Sequence, residues 1–229
     1  MNALRANLPI IADALAALTA VMMAVSIYLV FGFAPMEEVM GWPQKIFYFH
    51  VPIAITCYVG FFFCFIGSIG YLWTKNFMWD RIAVAGAETG VLLSILMLAT
   101  GMLWGKPIWG AYWTWDPRLT TSFVLWLIFA GYLILRGRVE DPVMRAKYAA
   151  VMGIVGYADV PLVHYSVKLW SRGIHPVLEK SGGDSGMHPD MFTAFKVCLV
   201  TFFLLFLLVF IQRVRVEFLT GEVERLKSS

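Results

Sequence analysis

The segment WGKPIWGAYWTWDPRLT, residues 104–120, separates three long apolar stretches from three more. It holds four of the nine tryptophans of the chain, namely Trp104, Trp109, Trp113 and Trp115. Pro107 and Pro117 argue against one long regular helix here, so the sequence predicts a short helical piece between them. In such a piece Trp109, Trp113 and Asp116 share one face. The resulting shelf of indole rings, with a carboxylate at its edge, suits a planar aromatic ligand.

An interfacial belt is the alternative interpretation, because Trp and Tyr collect where a membrane meets water. A belt accounts for one or two tryptophans. It does not require four of them together with Tyr112, Asp116 and Arg118 in one ordered run.

The composition indicates an all-α integral membrane protein. Of its 229 residues, 60% are hydrophobic and 14% are charged, far from the shares of a soluble domain. The length suits a single membrane domain over residues 1–229. A net charge of +3 predicts no nucleic-acid partner. Cys57, Cys64 and Cys198 lie in apolar runs without a CxxC motif, and we interpret them as packing residues.

Six stretches are apolar and long enough to cross a hydrocarbon layer about 30 Å thick. They cover residues 8–33, 46–73, 82–103, 121–135, 146–167 and 191–211. The first is too long for the core of a signal peptide, so we expect it to remain uncleaved. The sixth is followed by a polar tail. With six crossings, both termini lie on one side of the membrane.

Positive charge predicts that this side is the cytoplasm. Lys and Arg are more numerous in the loops on the side of the termini, above all in RGRVEDPVMRAK, residues 136–147. The tryptophan-rich segment and the loop at residues 168–190 then face the periplasm.

Two histidines lie near span ends on that same side. His50 follows the start of the second span, and His164 precedes the end of the fifth. Each is about four residues inside its span, which corresponds to a matched depth of roughly 6 Å. Two imidazoles at equal depth can bind a metal from opposite faces.

A single histidine at this depth is more often a hydrogen-bonded interfacial residue, but the pair favours a ligand role. Zinc normally requires three or four ligands. Two histidines beside an aromatic shelf fit haem better, with one imidazole on each side of the iron. His175 and His188 lie in a polar stretch, and we expect them to face solvent.

These residues resemble a known family. WGKPIWGAYWTWDPRLT is similar to the WWD signature of haem-handling membrane proteins in cytochrome c maturation. FYFHVP, residues 47–52, and VPLVHYSVKLW, residues 160–170, resemble the histidine segments of the CcmC branch, haem exporter protein C. The resemblance covers most of the chain, whereas larger WWD relatives have many more spans.

The resemblance implies that the protein binds haem b at the periplasmic face of the bacterial inner membrane and presents it to the haem chaperone CcmE. It also implies the small membrane protein CcmD and the ABC transporter subunits CcmA and CcmB as partners. The resemblance makes His50 and His164 the axial ligands of the iron. It assigns haem contact to the WWD segment, at Trp104, Trp109, Trp113, Trp115 and Asp116, and a propionate to Arg118.

Two other functions remain open from the residues alone. One is a bis-histidine b-type cytochrome that transfers electrons, although a single histidine pair in one leaflet argues against a transmembrane electron path. The other is a permease, suggested by Glu88 and Asp159 within spans, although each can equally be a packing residue. The chain has no GxxxxGK loop, so any ATP hydrolysis belongs to a partner and we expect no enzymatic activity.

Overall fold

A computed structural model describes residues 2–170 and 187–228 of the chain. Most of the loop at 168–190, with His175, therefore lies outside the described residues. Seven α-helices are present in the described part: α1 (Asn2–Tyr28), α2 (Phe47–Thr74), α3 (Phe77–Trp109), α4 (Pro117–Arg138), α5 (Pro142–Tyr157), α6 (Asp159–Trp170) and α7 (Pro189–Ser228). A π-helical turn, Leu29–Phe33, extends α1, and a 3₁₀ turn, Trp42–Ile46, precedes α2.

Six helical stretches are long and apolar enough to cross a membrane, which confirms the prediction of an all-α protein with six spans. Their limits differ from the predicted ones. The fifth is broken at Ala158, between α5 and α6, and the sixth continues as helix through the polar tail to Ser228. Hydropathy reports where a helix is apolar, whereas hydrogen bonding and capping decide where it ends.

Close contact between α2 and α3 forms the centre of the bundle. A Cβ atom on Gly60 would lie 2.9 Å from the backbone nitrogen of Gly90, and one on Gly67 would lie 2.7 Å from that of Ala83. Small residues therefore set the helix separation, as is usual in membranes. Phe61 of α2 stacks on Phe129 of α4 at 3.9 Å between ring centroids. The predicted packing role of the three cysteines is confirmed, because all are buried and free.

Ion pairs join the helices towards the end of the bundle that carries the chain termini. Arg136 of α4 donates to both carboxylate oxygens of Asp80 at 2.6 and 2.9 Å. Glu88 of α3 accepts a hydrogen bond of 2.6 Å from Nε of Arg213 in α7. This pairing links two helices through Glu88, which agrees with the packing interpretation of that carboxylate.

Candidate functional site

The tryptophan-rich segment is divided between the end of a helix and an extended connection. Helix α3 continues through Pro107 to Trp109 and ends at Gly110, whose φ of +76° favours glycine. Residues 111–116 are not helical. The predicted short helix between Pro107 and Pro117 is therefore wrong, because a proline in the last turn removes only one backbone hydrogen bond and Gly110 supplies the stop. Trp109, Trp113 and Asp116 share no helical face.

His50 lies on α2 against one face of α3. Its Nδ1 atom is 2.9 Å from Oγ1 of Thr100, and its ring meets the Trp104 indole edge-on at 5.7 Å between centroids. A Cβ atom on Gly101 would lie 3.1 Å from Cε1 of His50, so the glycine leaves space for the imidazole. Trp104 also contacts Phe47 at 6.2 Å. His50 is thus bound directly to the helix that leads into the tryptophan-rich segment.

His164 lies on α6 and is exposed. Its backbone carbonyl accepts a hydrogen bond of 3.4 Å from Nη2 of Arg118, near the start of α4. Its ring stands perpendicular to that of Tyr165 at 4.9 Å. These contacts place both histidines at the end of the bundle that carries the tryptophan-rich segment. The equal depth of the two rings stays a prediction.

One contact between the connection and α4 links the other aromatic rings into a series. Trp113 meets Trp115 at 5.6 Å and Phe123 of α4 at 5.8 Å, both nearly perpendicular, and Phe123 stacks on Trp126 at 5.8 Å. Trp115, at the outer end of this series, is 74% exposed. Trp109 packs on its own helix, where a Cβ atom on Gly105 would lie 2.9 Å from its ring.

Several buried polar atoms in this region lack a hydrogen-bond partner in the described structure. They are Nε1 of Trp104, Nε1 of Trp113 and the side-chain hydroxyls of Thr114 and Thr120. A buried donor without an acceptor costs about 1–3 kcal/mol. Oxygen atoms of a ligand can offset that cost, so these orphaned groups suit a ligand that carries acceptors. No group of three His, Cys, Asp or Glu side chains that could hold a metal ion occurs in residues 2–170 and 187–228.

Comparison with known proteins identifies the family of this chain. Residues 4–229 match the family described as "Heme exporter protein C". The chain belongs to the heme exporter protein C family. Relatives with that name include those of Bradyrhizobium diazoefficiens, 33% identical over 93% of this chain and 81% of the relative, and of Paracoccus denitrificans, 33% identical over 82% and 79%. The Escherichia coli K12 protein is 34% identical over 62% of this chain and 58% of its own length.

Membership identifies the chain as a multi-pass membrane protein of a haem-export system that takes part in cytochrome c maturation. The resemblance drawn from the sequence is thereby confirmed at the level of the family. His188 is exposed, with Nδ1 accepting from the backbone N–H of Asp190 at 3.3 Å, as the sequence predicted for a histidine that faces solvent.

Asp116 of this heme exporter family member has a role that sequence reasoning missed. Its Oδ1 accepts the backbone N–H of Leu119 at 2.9 Å and so caps α4, with Pro117 at the first helical position. The sequence Asp-Pro before an apolar run was the available signal. The same signal recurs at Asp141, which caps α5 by accepting from Met144 at 2.7 Å.

The paired caps give a matched test. We expect Asp116→Ala and Asp141→Ala each to lower the free energy of unfolding by about 0.5–2 kcal/mol, whereas asparagine at either position retains the cap. Thermal unfolding in detergent measures the stability, and haem content measures the site. We expect only Asp116→Ala to lower haem content. An equal loss in Asp141→Ala would attribute the effect to general destabilisation.

The contacts of Thr100 and Gly101 with His50 were also missed. Both residues lie within one turn before Trp104 on α3, but their partner is on α2. The register between the two helices is a tertiary property, and no local pattern in the sequence reports it.

Proposed function

We propose that this protein binds haem b at the periplasmic face of the bacterial inner membrane and delivers it to the haem chaperone CcmE. It acts without enzymatic activity of its own, beside the small protein CcmD and the transporter subunits CcmA and CcmB, with ATP hydrolysis by a partner. Family membership supports the haem-export role, and the larger positive charge on the side of the termini supports a periplasmic site.

One observation carries the proposal: both histidines are attached to the two helices that flank the tryptophan-rich connection. His50 contacts Thr100 and Trp104 at the end of α3, and the backbone of His164 contacts Arg118 at the start of α4. Both histidines therefore lie beside the ends of the helices that this connection joins. A bis-imidazole site next to indole rings matches the chemistry of haem.

Haem is the cargo of this site, and different residues contact its iron, its porphyrin ring and its propionates. His50 and His164 bind the iron as axial ligands. The indoles of Trp104, Trp109, Trp113 and Trp115 provide apolar contact for the porphyrin, and the orphaned N–H groups of Trp104 and Trp113 can donate to propionate oxygens. Arg118 carries the positive charge that pairs with a propionate, for which its planar guanidinium is suited.

Substitutions at Arg118 and Asp116 distinguish haem binding from haem delivery. We expect Arg118→Lys to weaken haem binding, because an ammonium group cannot reproduce the bidentate pairing with a carboxylate. We expect Asp116→Asn to bind haem, since asparagine also caps α4, but to deliver less of it because the negative charge is lost. Haem bound to the protein and haem passed to the co-expressed chaperone are measured for each variant. If Asp116→Asn loses both in parallel, Asp116 is only part of the binding site.

Haem transfer also distinguishes this function from electron transfer by a b-type cytochrome. Purified protein loaded with haem is mixed with the haem-free chaperone, and the haem on each protein is measured after separation. The proposed function requires movement of haem to the chaperone. Rapid reduction of the bound haem by a quinol, without any transfer of haem, would favour the cytochrome instead.

A further inference from the structure

Thr100 has a single hydroxyl proton and three hydrogen-bond neighbours within 3.1 Å. Oγ1 lies 2.8 Å from the carbonyl oxygen of Leu96 and 3.1 Å from that of Met97. A carbonyl oxygen can only accept, and a threonine hydroxyl within a helix characteristically donates to the carbonyl three or four residues before it. The third neighbour of Oγ1 is Nδ1 of His50, at 2.9 Å. With the hydroxyl proton donated to a backbone carbonyl, His50 is the donor in this contact and Thr100 is the acceptor.

The direction of this hydrogen bond selects the tautomer of His50. A neutral imidazole carries one proton, and with that proton on Nδ1 the lone pair is on Nε2. We propose that Thr100 is a positioning residue, which holds His50 as the Nδ1–H tautomer and so presents Nε2 as the iron ligand. This inference rests on the proposed function, because it concerns the haem ligand named there.

The same face of α3 restrains the ring in two further ways. Trp104 packs edge-on against the imidazole, and the missing side chain of Gly101 leaves the space that Cε1 enters. A histidine that is hydrogen-bonded and packed in this way is already oriented before haem binds. Less conformational entropy is then lost on binding. In contrast, no group in residues 2–170 or 187–228 hydrogen-bonds to the ring of His164. The two proposed ligands therefore differ, with His50 the more firmly fixed.

An acceptor at Nδ1–H also makes the imidazole a stronger electron donor to a metal. We expect Thr100→Val, which keeps the shape and removes the oxygen, to raise the haem dissociation constant about 10- to 100-fold, as loss of such partners typically does. We expect the reduction potential of the bound haem to rise, because a weaker donor stabilises ferric iron less. Thr100→Ser should restore both values, since serine retains the acceptor.

Thr121 provides a matched control. Its hydroxyl donates to the carbonyls of Pro117 at 2.8 Å and Arg118 at 3.2 Å, the same local pattern as Thr100, but it has no contact with a histidine ring in the described structure. Thr121→Val should therefore leave the reduction potential unchanged. In haem-free protein labelled with ¹⁵N-histidine, the ring nitrogens of His50 should report the Nδ1–H tautomer in wild type and a mixture in Thr100→Val.

The outcomes separate this inference from the proposed function. If His50→Ala loses haem while Thr100→Val keeps the wild-type potential and affinity, Thr100 has no positioning role and only this inference fails. Equal effects of Thr100→Val and Thr100→Ser would trace the change to packing and would also overturn it. If His50→Ala keeps the wild-type haem spectrum, the ligand assignment fails, and the role of Thr100 fails with it.

Discussion

His50→Ala and His164→Ala should each lose most of the bound haem, with a larger fall in affinity than the roughly 10- to 100-fold that follows loss of a partner to a ligand. Each substitution removes one of two axial bonds to the iron. Haem that remains should lose the six-coordinate bis-imidazole spectrum, because one axial position is vacant or filled by weakly held water.

His175→Ala and His188→Ala are the matched controls, and both should retain haem. His188 is exposed and interacts with its neighbour Asp190, so it has no contact with the proposed site in the described structure. Haem content is measured as a ratio to protein after purification in the same detergent. If His175→Ala loses its haem while His164→Ala retains it, His164 is not the second ligand.

Replacing the indoles should weaken haem binding in graded fashion. Trp109→Ala, Trp113→Ala and Trp115→Ala should each cost about 1–3 kcal/mol, the range measured for aromatic stacking on nucleic-acid bases. This corresponds to a roughly 5- to 150-fold higher dissociation constant. Phenylalanine at the same positions should cost less, because it keeps an aromatic face. Titration of haem into the haem-free variants gives the dissociation constants directly.

Trp73 provides the control for an interfacial belt. It lies near the end of α2, at the opposite end of the bundle from His50, and is 86% exposed. Trp73→Ala should leave haem affinity unchanged, although it loses the same contact with lipid headgroups that a belt residue makes. If haem affinity is unchanged in all three Trp→Ala variants of the tryptophan-rich segment, these tryptophans form an interfacial belt and not a haem site.

The spans could be predicted from sequence because hydrophobic length is a local property of the chain. The stretch at residues 121–135 marks α4 correctly but too short, since Pro117 and its cap Asp116 begin the helix one turn earlier. The polar tail was not predicted as helix, because the contacts that accompany it, such as Arg81 over the ring of Phe218 at 4.6 Å, join residues far apart in sequence.

The sequence predicts which residues form the site and at which end of the bundle they lie, but not how their side chains are arranged. The number of crossings predicted that His50 and His164 lie at one end of the bundle, and the contacts with Trp104 and Arg118 agree. The arrangement of the indoles could not be predicted, because it depends on where α3 stops. That position is set by Gly110, while Pro107 is accommodated in the last turn.

The central claim is that this chain binds haem through two histidines, and absorption spectra of the purified protein test it most directly. Protein from haem-replete cells is measured in the oxidised state and again after reduction with dithionite. We expect the spectrum of six-coordinate, bis-imidazole haem b in near-stoichiometric amount. A colourless preparation, or a five-coordinate haem unaffected by His164→Ala, would contradict it.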